Sequence, residues 1–298
     1  MKSGFVAVAG RANAGKSTLV NVLVGEKVSI VSPKPQTTRD RIMGVYTSLS
    51  AQIAFIDTPG LYSSKNLLGA VIQKTATDSV KDVDAILFLI DAHEGLLDRD
   101  FKTVKEFCEN NENVIVVLTK TDITQESVLV SVIKELGNVC DKIVPVSARK
   151  GKNLKELMKV ILSVLPEGDK IFEQDIISDR SEKFMIAEIM REKILLKCER
   201  EIPHGVAVLI NNFKWDEKRK LYDINLDIIC EKPNHKAILI GKQGSKIKEI
   251  SSFARTDMEK FLGAKVFLTT YIKVEEDWRN SARFIKEHGY STEDSFSH

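Results

Sequence analysis

A chain of 298 residues is long for one compact core, so its length favours two domains. With 43% hydrophobic and 29% charged residues, the composition is that of a globular protein and excludes a disordered chain or a fibrous repeat. The 44 basic and 42 acidic residues leave a formal net charge of +2, which excludes a global attraction to nucleic acid. Any contact with nucleic acid must therefore come from a local patch.

Export, membrane insertion and disulfide formation are not indicated by this sequence. The apolar run at 5–9 is too short for the core of a signal peptide, and the run at 85–90 is far shorter than the roughly 20 residues that span a bilayer. The cysteines form no CxxC pair. We therefore expect a cytoplasmic protein without disulfides or zinc. The four cysteines are Cys108, Cys140, Cys198 and Cys230.

Residues 1–166 alternate short apolar strands with helical patterns, which is typical of βαβ units. Near-continuous apolar strands indicate a parallel sheet covered on both faces, so we predict a doubly wound α/β domain. Two strands at 42–49 and 51–57 predict a hairpin, which makes the sheet mixed but mostly parallel. The other predicted strands lie at 5–10, 86–91, 114–120 and 143–148, and the predicted helices at 17–25, 101–109, 131–138 and 153–165.

A polar stretch at 167–180, opened by Pro166, predicts a linker to a second domain at 181–290. There the predicted order is a helix, two strands, two short helices around a pair of glycines, a strand and a final helix. This αββααβ order predicts an α+β domain. Residues 291–298 are predicted to form a disordered tail.

A phosphate-binding loop is predicted at GRANAGKS, Gly10 to Ser17. The segment matches GxxxxGK[ST] and lies between a predicted strand and a predicted helix, as the motif requires. Glycines free backbone N–H groups to wrap the phosphates, Lys16 supplies a positive charge, and the Ser17 hydroxyl can bind Mg²⁺. The segment therefore predicts a nucleoside triphosphate site.

Two further segments suit the phosphates and the metal ion. DTPG, at 57–60, ends a predicted strand and places the Asp57 carboxylate beside Mg²⁺ and the Gly60 N–H near the terminal phosphate. TTRDR, at 37–41, places Thr38 where it reaches Mg²⁺ when the terminal phosphate is present.

Two other segments favour guanine over adenine. In TKTD, at 119–122, the Asp122 carboxylate can accept hydrogen bonds from both the ring N–H and the exocyclic amine of guanine. In SAR, at 147–149, the Ala148 N–H can donate to the guanine carbonyl. All these segments follow strands, and ligands of open α/β sheets bind at the carboxyl ends of strands. The pattern therefore predicts a GTP site.

The stretch AILIGKQGSKIK, at 237–248, carries a GxxG sequence between two predicted helices. Five lysines and no acidic residue lie between Lys232 and Lys248, so the patch is locally positive. Glycines let a sugar–phosphate backbone approach, and a helix N-terminus near Ser245 offers N–H groups to a phosphate. KH modules bind single-stranded RNA in this way, whereas a capped helix–turn–helix joint is the structural alternative. Of the neighbouring Ile238, Leu239, Ile240 and Ile247, we expect most to be core residues.

These motifs resemble those of the Era family, the bacterial ribosome-assembly GTPases of the translation-factor class. The resemblance covers nearly the whole chain and is carried by GRANAGKSTLVN, PQTTRDR, DTPG and GKQGSKIK. It implies a P-loop GTPase domain followed by a type II KH domain. It also implies a GTP/GDP switch with Mg²⁺ that binds the 3′ end of 16S rRNA and assists assembly of the small (30S) ribosomal subunit. From it we expect a monomer that meets the cytoplasmic face of the inner membrane peripherally.

The residues expected at each site follow from the motifs and the resemblance. The predicted GTP-binding residues are Gly10, Asn13, Ala14, Gly15, Lys16, Ser17, Thr18, Asp57, Thr58, Pro59, Gly60, Thr119, Lys120, Asp122, Ser147 and Ala148. The predicted Mg²⁺ ligands are Ser17, Thr38 and Asp57, and the predicted catalytic residues are Lys16, Thr38 and Gly60. The predicted RNA-binding residues are Lys236, Ile240, Gly241, Lys242, Gln243, Gly244, Ser245 and Lys246.

The sequence departs from common GTPase patterns at two positions. Thr119 stands where the Era family usually has an Asn that braces the base and the P-loop. Leu61 stands where many GTPases have a glutamine that orients the attacking water. We therefore expect slow hydrolysis. By resemblance to GTPases that use an Asn at the position of Asn13 to help hold K⁺, we expect K⁺ to stimulate it; a turn-forming Asn without a metal role is the alternative. Arg11 and Arg39 are expected to be solvated surface residues rather than internal arginine fingers.

Two alternatives remain open from the sequence. One is a constitutive RNA-binding protein whose nucleotide only supports the fold. The other is a P-loop ATPase or small-molecule kinase, for which Asp122 would play no part in the choice of nucleotide.

Overall fold

The computed structural model describes residues 1–60, 66–199 and 202–288 and divides them into two compact units. Unit 1 contains residues 1–31, 38–60 and 72–179. Unit 2 contains residues 32–37, 66–71 and 180–288. The short segment 32–37 thus groups with unit 2 although unit 1 flanks it in sequence. The predicted tail at 291–298 lies outside the described residues.

Unit 1 is built on a six-stranded sheet in the order β2-β3-β1-β4-β5-β6. Strand β2 is antiparallel to β3, and every other neighbouring pair is parallel. This confirms the predicted mixed, mostly parallel sheet. Its strands are β1 Lys2–Gly10, β2 Ile42–Thr47, β3 Ala51–Asp57, β4 Ala85–Asp91, β5 Val114–Thr119 and β6 Ile143–Pro145. The helices that follow them in the chain are α1 Lys16–Val24, α2 Leu67–Asp78, α3 Asp98–Asn110, α4 Glu126–Leu136 and α5 Leu154–Val164. The first five residues of α2, 67–71, are grouped with unit 2.

Helices cover both faces of this sheet. Successive side chains of each strand point to opposite faces, so neighbouring residues pack against different helices. In β4, Leu87 packs with α1 and α5, whereas Phe88 packs with α3 and α4. The doubly wound arrangement follows, and it brings the carboxyl ends of β1, β3, β4 and β5 to one edge.

Helix α2 was missed by the sequence analysis. Its buried side chains are Leu68, Ile72 and Ala76, which are 2%, 1% and 1% exposed. They recur every four residues and so form one apolar stripe along the helix. The stripe is narrow and contains an alanine, which is why it gave a weaker pattern than the strands around it.

The segment expected to be a linker, 167–180, contributes to unit 1. The Val45 N–H donates to the Ile177 carbonyl at 2.8 Å, and the Met43 N–H donates to an Asp179 carboxylate oxygen at 2.9 Å. Residues before the second unit therefore satisfy the free edge of β2, which an open sheet would otherwise expose.

Unit 2 has the predicted helix–strand–strand–helix–helix–strand order. Its elements are α6 Glu182–Lys197, β7 Val206–Asp216, β8 Leu221–Cys230, α7 Pro233–Ile240, α8 Ser245–Leu262, β9 Lys265–Val274 and α9 Ala282–Glu287. The sheet order is β7-β8-β9, with β7 antiparallel and β9 parallel to β8. Its helix-facing side packs residues such as Ile228 against Ile194 of α6 and Ile250 of α8.

Candidate functional site

The P-loop joins the end of β1 to the start of α1, and its backbone requires glycine at two positions. Gly10 has φ +137°, and a Cβ on it would lie 2.4 Å from the Leu89 carbonyl oxygen of β4. Gly15 has φ +89°, in the left-handed region that favours glycine. Backbone N–H groups at the start of α1 consequently face the open end of the loop, where a phosphate can bind.

Lys16 is buried within this loop, with 6% of its surface exposed. Its Nζ donates to the carbonyls of Gly10 at 3.0 Å and Arg11 at 2.8 Å. Burial lowers the pKa of Lys16 to about 8, although nearby Asp57 opposes the shift. Among the described residues its hydrogen-bond partners are these two neutral carbonyls, so the buried ammonium suits an anionic ligand such as a phosphate.

The three predicted Mg²⁺ ligands come together at the end of β3. The Ser17 and Thr38 hydroxyl oxygens are 2.9 Å apart, and Asp57 is fully buried. Neither Asp57 carboxylate oxygen has a donor in hydrogen-bonding geometry among the described residues. Burial raises the pKa of Asp57, while the nearby Ser17 hydroxyl and Lys16 ammonium oppose the shift. An orphaned carboxylate beside two hydroxyls is an oxygen-rich donor set that fits Mg²⁺.

Asp122 and Ser147 form the candidate base site at the ends of β5 and β6. The Ser147 hydroxyl donates to an Asp122 carboxylate oxygen at 2.6 Å. This hydrogen bond holds the pKa of Asp122 below its usual value. Asp122 is exposed while Ser147 is fully buried, so the serine orients a carboxylate that stays accessible to a ligand.

The DTPG segment lies against the P-loop. A Cβ on Gly60 would lie 2.8 Å from the Cα of Ala12, so only glycine allows this approach. The Thr58 hydroxyl donates to the Val8 carbonyl at 2.9 Å and fixes the segment to β1. The position expected to lack a catalytic glutamine, Leu61, lies outside the described residues.

The GxxG segment, 241–244, lies between α7 and α8 in unit 2, and its two glycines differ. Gly241 has φ +71°, and a Cβ on it would lie 2.6 Å from the Lys246 Cβ. Gly244 has φ +77°, and no other side chain or backbone atom of the described residues lies within 4 Å of the position its Cβ would take. The first glycine is therefore required by packing, while the second faces open space.

The predicted RNA-binding residues in and around this segment differ in exposure. Lys242, Gln243 and Ser245 are exposed, whereas Lys236, Ile240 and Lys246 are half-buried. Helix α8 begins at Ser245 without a side-chain cap from the described residues, so its first N–H groups face outward.

Only part of the neighbouring apolar run belongs to the core. Leu239 is fully buried in the core of unit 2, and Ile247 packs against that core. Ile238 is 53% exposed, so the expectation that most of these residues are core holds for Leu239 and Ile247 but not for Ile238.

Comparison with protein families finds matches in both halves of the chain. Residues 5–120 match a family described as a 50S ribosome-binding GTPase, and residues 201–279 match the KH domain family. Curated relatives match over nearly the full length. GTPase Era from Clostridium kluyveri is 44% identical over 292 residues, which cover 97% of this chain and 99% of the relative. GTPase Era from Clostridioides difficile strain 630 is 44% identical over 293 residues, which cover 97% and 99%.

The chain belongs to the Era family of GTPases. Solved structures of that family superpose on it closely. An Aquifex aeolicus Era variant bound to GDP·AlF4⁻ has a TM-score of 0.93 and 42% identity, over 98% of this chain and 100% of its own. Era in complex with MgGDPNP and nucleotides 1506–1542 of 16S ribosomal RNA has a TM-score of 0.93 and 42% identity, over 98% and 99%. The predicted P-loop GTPase fold followed by a KH domain is thereby confirmed.

Thr119, the departure from the Era-family pattern noted above, makes a bracing contact of its own. Its hydroxyl donates to the Ala14 carbonyl of the P-loop at 2.8 Å and lies 3.2 Å from the Ile90 carbonyl of β4. A threonine here ties β5 to the P-loop as a bracing side chain should. The next residue, Lys120, is in the left-handed region with φ +57° and pairs with Asp91 at 2.5 Å.

Arg11 and Arg39 were wrongly expected to be solvated. They are 9% and 3% exposed. The Arg11 guanidinium pairs with Glu94 and with the buried Asp100 at the start of α3, each at 3.0 Å. These carboxylates offset the cost of burying the charge and fix the P-loop to α3. Their distance from Arg11 in the sequence explains why the pairing could not be anticipated.

Within the described ranges, no helix has both the length and the apolar character needed to cross a bilayer. Asn13, proposed from the sequence to help hold K⁺, lies exposed in the P-loop with φ +65°.

Proposed function

We propose that this Era-family GTPase is a switch in which bound GTP or GDP sets the affinity of the KH domain for 16S rRNA, and that it assists assembly of the small (30S) ribosomal subunit. One observation carries the nucleotide part of the proposal. The buried Lys16 ammonium and the orphaned Asp57 carboxylate meet at the same sheet edge as the exposed Asp122 carboxylate. The RNA part is supported by a relative of 42% identity that was crystallised with MgGDPNP and 16S rRNA nucleotides.

The proposed roles divide the site by ligand group. Lys16 and the N–H groups of the P-loop bind the phosphates, and the Gly60 N–H contacts the terminal one. Ser17, Thr38 and Asp57 hold Mg²⁺, which when bound neutralises charge on the phosphate oxygens. Asp122 and Ala148 bind the guanine base, with Ser147 orienting the carboxylate.

The remaining predicted residues line the same loops. Gly10, Asn13, Ala14, Gly15 and Thr18 would surround the phosphates, Thr58 and Pro59 would shape the loop after β3, and Thr119 and Lys120 would support the base.

Slow, K⁺-stimulated hydrolysis is part of the proposal. Leu61 has an apolar side chain and cannot orient a water, so the backbone and cations must supply what a glutamine supplies elsewhere. Asn13 is exposed at the phosphate end of the loop, where its amide could help hold K⁺. We expect faster turnover in K⁺ than in Na⁺, and Asn13→Ala should abolish the difference. Equal rates in the two salts for the wild-type protein would contradict this part.

The KH domain is proposed to span 181–290 and to clamp single-stranded RNA at the GxxG segment. Lys236, Lys242 and Lys246 would contact phosphates, Gly241 to Ser245 would admit the RNA backbone, and Ile240 would contact a base. The domain bounds 1–166 and 181–290, the monomeric state, the cytoplasmic location and the peripheral membrane contact stay predictions.

Nucleotide choice tests the proposal. Asp122→Asn replaces a carboxylate, which accepts from the guanine amine, by an amide, which can donate to the carbonyl that xanthine has in its place. The ratio of xanthine- to guanine-nucleotide affinity should therefore rise by about 100-fold or more. Ser147→Ala is the matched control and should weaken guanine binding without changing the preferred base. A P-loop ATPase would show no such shift. A structural nucleotide would show no γ-phosphate loss in single-turnover assays with K⁺ and RNA present.

A further inference from the structure

Arg191 lies in the middle of α6 and is buried, with 1% of its side chain exposed. Its Nε and Nη2 donate to the two carboxylate oxygens of Glu188 at 2.7 and 2.5 Å. Such a bidentate pair satisfies the charge but is costly to bury compared with apolar residues of the same size. A buried pair of this kind therefore calls for a role other than stability.

The same guanidinium also contacts a loop far away in sequence. Its Nη2 donates to the Thr37 carbonyl, and its Nη1 lies 3.5 Å from the Gln36 carbonyl. The loop 32–37 belongs to the same compact unit as α6. The Arg191 guanidinium therefore contacts two sets of acceptors, the Glu188 carboxylate and two consecutive backbone carbonyls.

The loop 32–37 is closed by its own hydrogen bonds. The Thr37 hydroxyl lies 2.7 Å from the Ser32 hydroxyl and donates to the Lys34 carbonyl at 2.6 Å. Gln36 has φ +60°, which a non-glycine residue adopts at a cost. A loop closed in this way has little freedom, and its contact with Arg191 ties the Thr37 end of the loop to α6.

Thr38 follows directly in the chain and is buried, with its hydroxyl 2.9 Å from that of Ser17. It is one of the three proposed Mg²⁺ ligands. A single peptide link separates its Cα from that of Thr37, whose carbonyl accepts from Arg191. Because a displacement of about 1 Å is enough to impair a catalytic site, the anchor of Thr37 bears on the placement of Thr38.

The chain beyond Thr38 is anchored as well. The Ser178 hydroxyl donates to the Met43 carbonyl at 2.8 Å, and the Met43 N–H donates to Asp179 at 2.9 Å. Ser178 and Asp179 come just before α6 begins at Glu182. The chain is therefore anchored on both sides of Thr38, at Thr37 within unit 2 and at Met43 within unit 1.

We propose that Arg191 is a positioning residue that holds Thr38 in place for Mg²⁺ and the terminal phosphate. The inference rests on the proposed function and adds the regulation of that site. Arg191 acts through the Thr37 backbone and touches neither nucleotide nor metal. Helix α6 is the first helix of the KH module, so the proposal couples that helix to the Mg²⁺ site. A ligand that orders Thr38 favours the arrangement of loop 32–37 that Arg191 holds. Conversely, a change at α6 alters the position of Thr38.

Two variants of the full-length protein test the proposal. Arg191→Lys keeps a cation opposite Glu188 but loses the fork, while the double variant Arg191→Met with Glu188→Gln removes the buried pair without leaving a lone charge. The matched control is Lys197→Gln with Glu249→Gln, which removes a partly exposed ion pair between α6 and α8. Thermal unfolding establishes that each protein is folded. The readouts are the affinities for GDPNP and GDP across a Mg²⁺ titration and the kcat and KM of GTP hydrolysis.

In both Arg191 variants we expect the Mg²⁺ concentration for half-maximal GDPNP binding to rise about tenfold and kcat to fall by a similar factor. GDP affinity should stay within about twofold of wild type, since Thr38 is required only with the terminal phosphate. The control should match wild type throughout. If a folded Arg191→Lys protein needs the same Mg²⁺ concentration as wild type for half-maximal GDPNP binding, the inference is overturned and the proposed function stands. If GDPNP binding to the wild-type protein does not depend on Mg²⁺, both are overturned.

Discussion

The P-loop and the GxxG segment are both glycine turns that lead into a helix N-terminus, yet they differ in burial. Around the P-loop, Lys16 and Asp57 are 6% and 0% exposed. Around the GxxG segment, Lys242 and Ser245 are exposed, and no described residue fills the space where a Gly244 Cβ would lie. One turn holds its charges inside the protein, and the other presents them to solvent.

This difference matches the ligands proposed for the two turns. Burying a cation and a carboxylate costs free energy in the absence of ligand, but it pre-organises a site for one triphosphate and one metal ion. Exposed lysines on flexible stems cost little and can follow a long polyanion of variable shape. Selectivity is therefore expected at the first turn, and salt-dependent, adaptable binding at the second.

The largest effect is expected for Asp57→Asn. The amide removes a metal ligand, so Mg²⁺-dependent affinity for GDPNP should fall by about 100-fold or more. In the nucleotide-free protein the change should instead raise the free energy of unfolding by roughly 1–3 kcal/mol, because burial disfavours the Asp57 charge more than the neighbouring hydroxyls and Lys16 stabilise it. The pKa of Asp57 is raised from 3.8, so the cost it imposes appears as pH rises above that value. Chemical denaturation at pH 7, without nucleotide, measures it.

Asp84→Asn offers a comparison on the same sheet, because the Asp84 carboxylate accepts the Phe5 N–H at 2.7 Å. That variant should lose stability rather than gain it. A nucleotide-free Asp57→Asn protein less stable than wild type would contradict the view that this carboxylate is held at a cost.

The next effect concerns the pH dependence of the nucleotide-free protein. The pKa of Lys16 falls from 10.5 to about 8 on folding, so between these values the unfolded chain binds more protons than the folded one. Stability should therefore rise with pH across this window, by up to about 3 kcal/mol from this group. Lys16→Met should lack that contribution, and the wild-type-minus-variant difference in denaturation isolates it from other lysines. Identical pH profiles would show that the ammonium is not destabilised by burial.

The two glycines of the GxxG segment should respond differently to alanine. Gly241→Ala places a Cβ 2.6 Å from that of Lys246 and should destabilise unit 2 by roughly 2 kcal/mol. Gly244→Ala meets no atom within 4 Å, so only its positive φ should cost stability, about 1 kcal/mol. Its new methyl group faces the proposed RNA path and should weaken RNA binding by about tenfold. Unfolding and RNA titrations on both variants separate the effects, and equal RNA affinities for wild type and Gly244→Ala would argue for a structural turn.

The smallest effect is expected for the two lysines of the GxxG region, the exposed Lys242 and the half-buried Lys246. Lys242→Gln and Lys246→Gln should each weaken RNA binding a few-fold and lower the slope of log affinity against log salt by about 0.7. Lys220→Gln, in the turn before β8, is a matched control because Lys220 is exposed and pairs with Glu217. Unchanged salt dependence in the double variant would exclude phosphate contacts at these positions.

Much of the nucleotide site could be predicted from the sequence because its chemistry lies in short segments at strand ends. The strands β1, β3, β5 and β6 run parallel in one sheet, so their carboxyl ends lie at the same edge. Residues at or just after those ends must therefore lie at that edge, and these are Gly10, Asp57, Thr119 and Ser147. The Asp122–Ser147 hydrogen bond follows from the same geometry.

The buried arginines could not be predicted in this way. Arg11, Arg39 and Arg191 look like solvated residues in sequence, because a charged side chain is normally exposed. Arg11 pairs with Asp100, and Arg191, besides its local partner Glu188, contacts the Thr37 carbonyl; Asp100 and Thr37 are both far away in sequence. Long-range pairing of this kind leaves no periodic pattern in the sequence. Helix α2 does leave a periodic apolar pattern, but its stripe is too narrow to predict a helix.

Nucleotide-dependent RNA affinity tests the central claim most directly. A 16S rRNA 3′-end oligonucleotide would be titrated into the full-length protein loaded with Mg²⁺ and either GDPNP or GDP, in the same K⁺ buffer. The account predicts affinities that differ by about fivefold or more, because the terminal phosphate and the KH domain are coupled. Equal affinities in the two nucleotide states would contradict it.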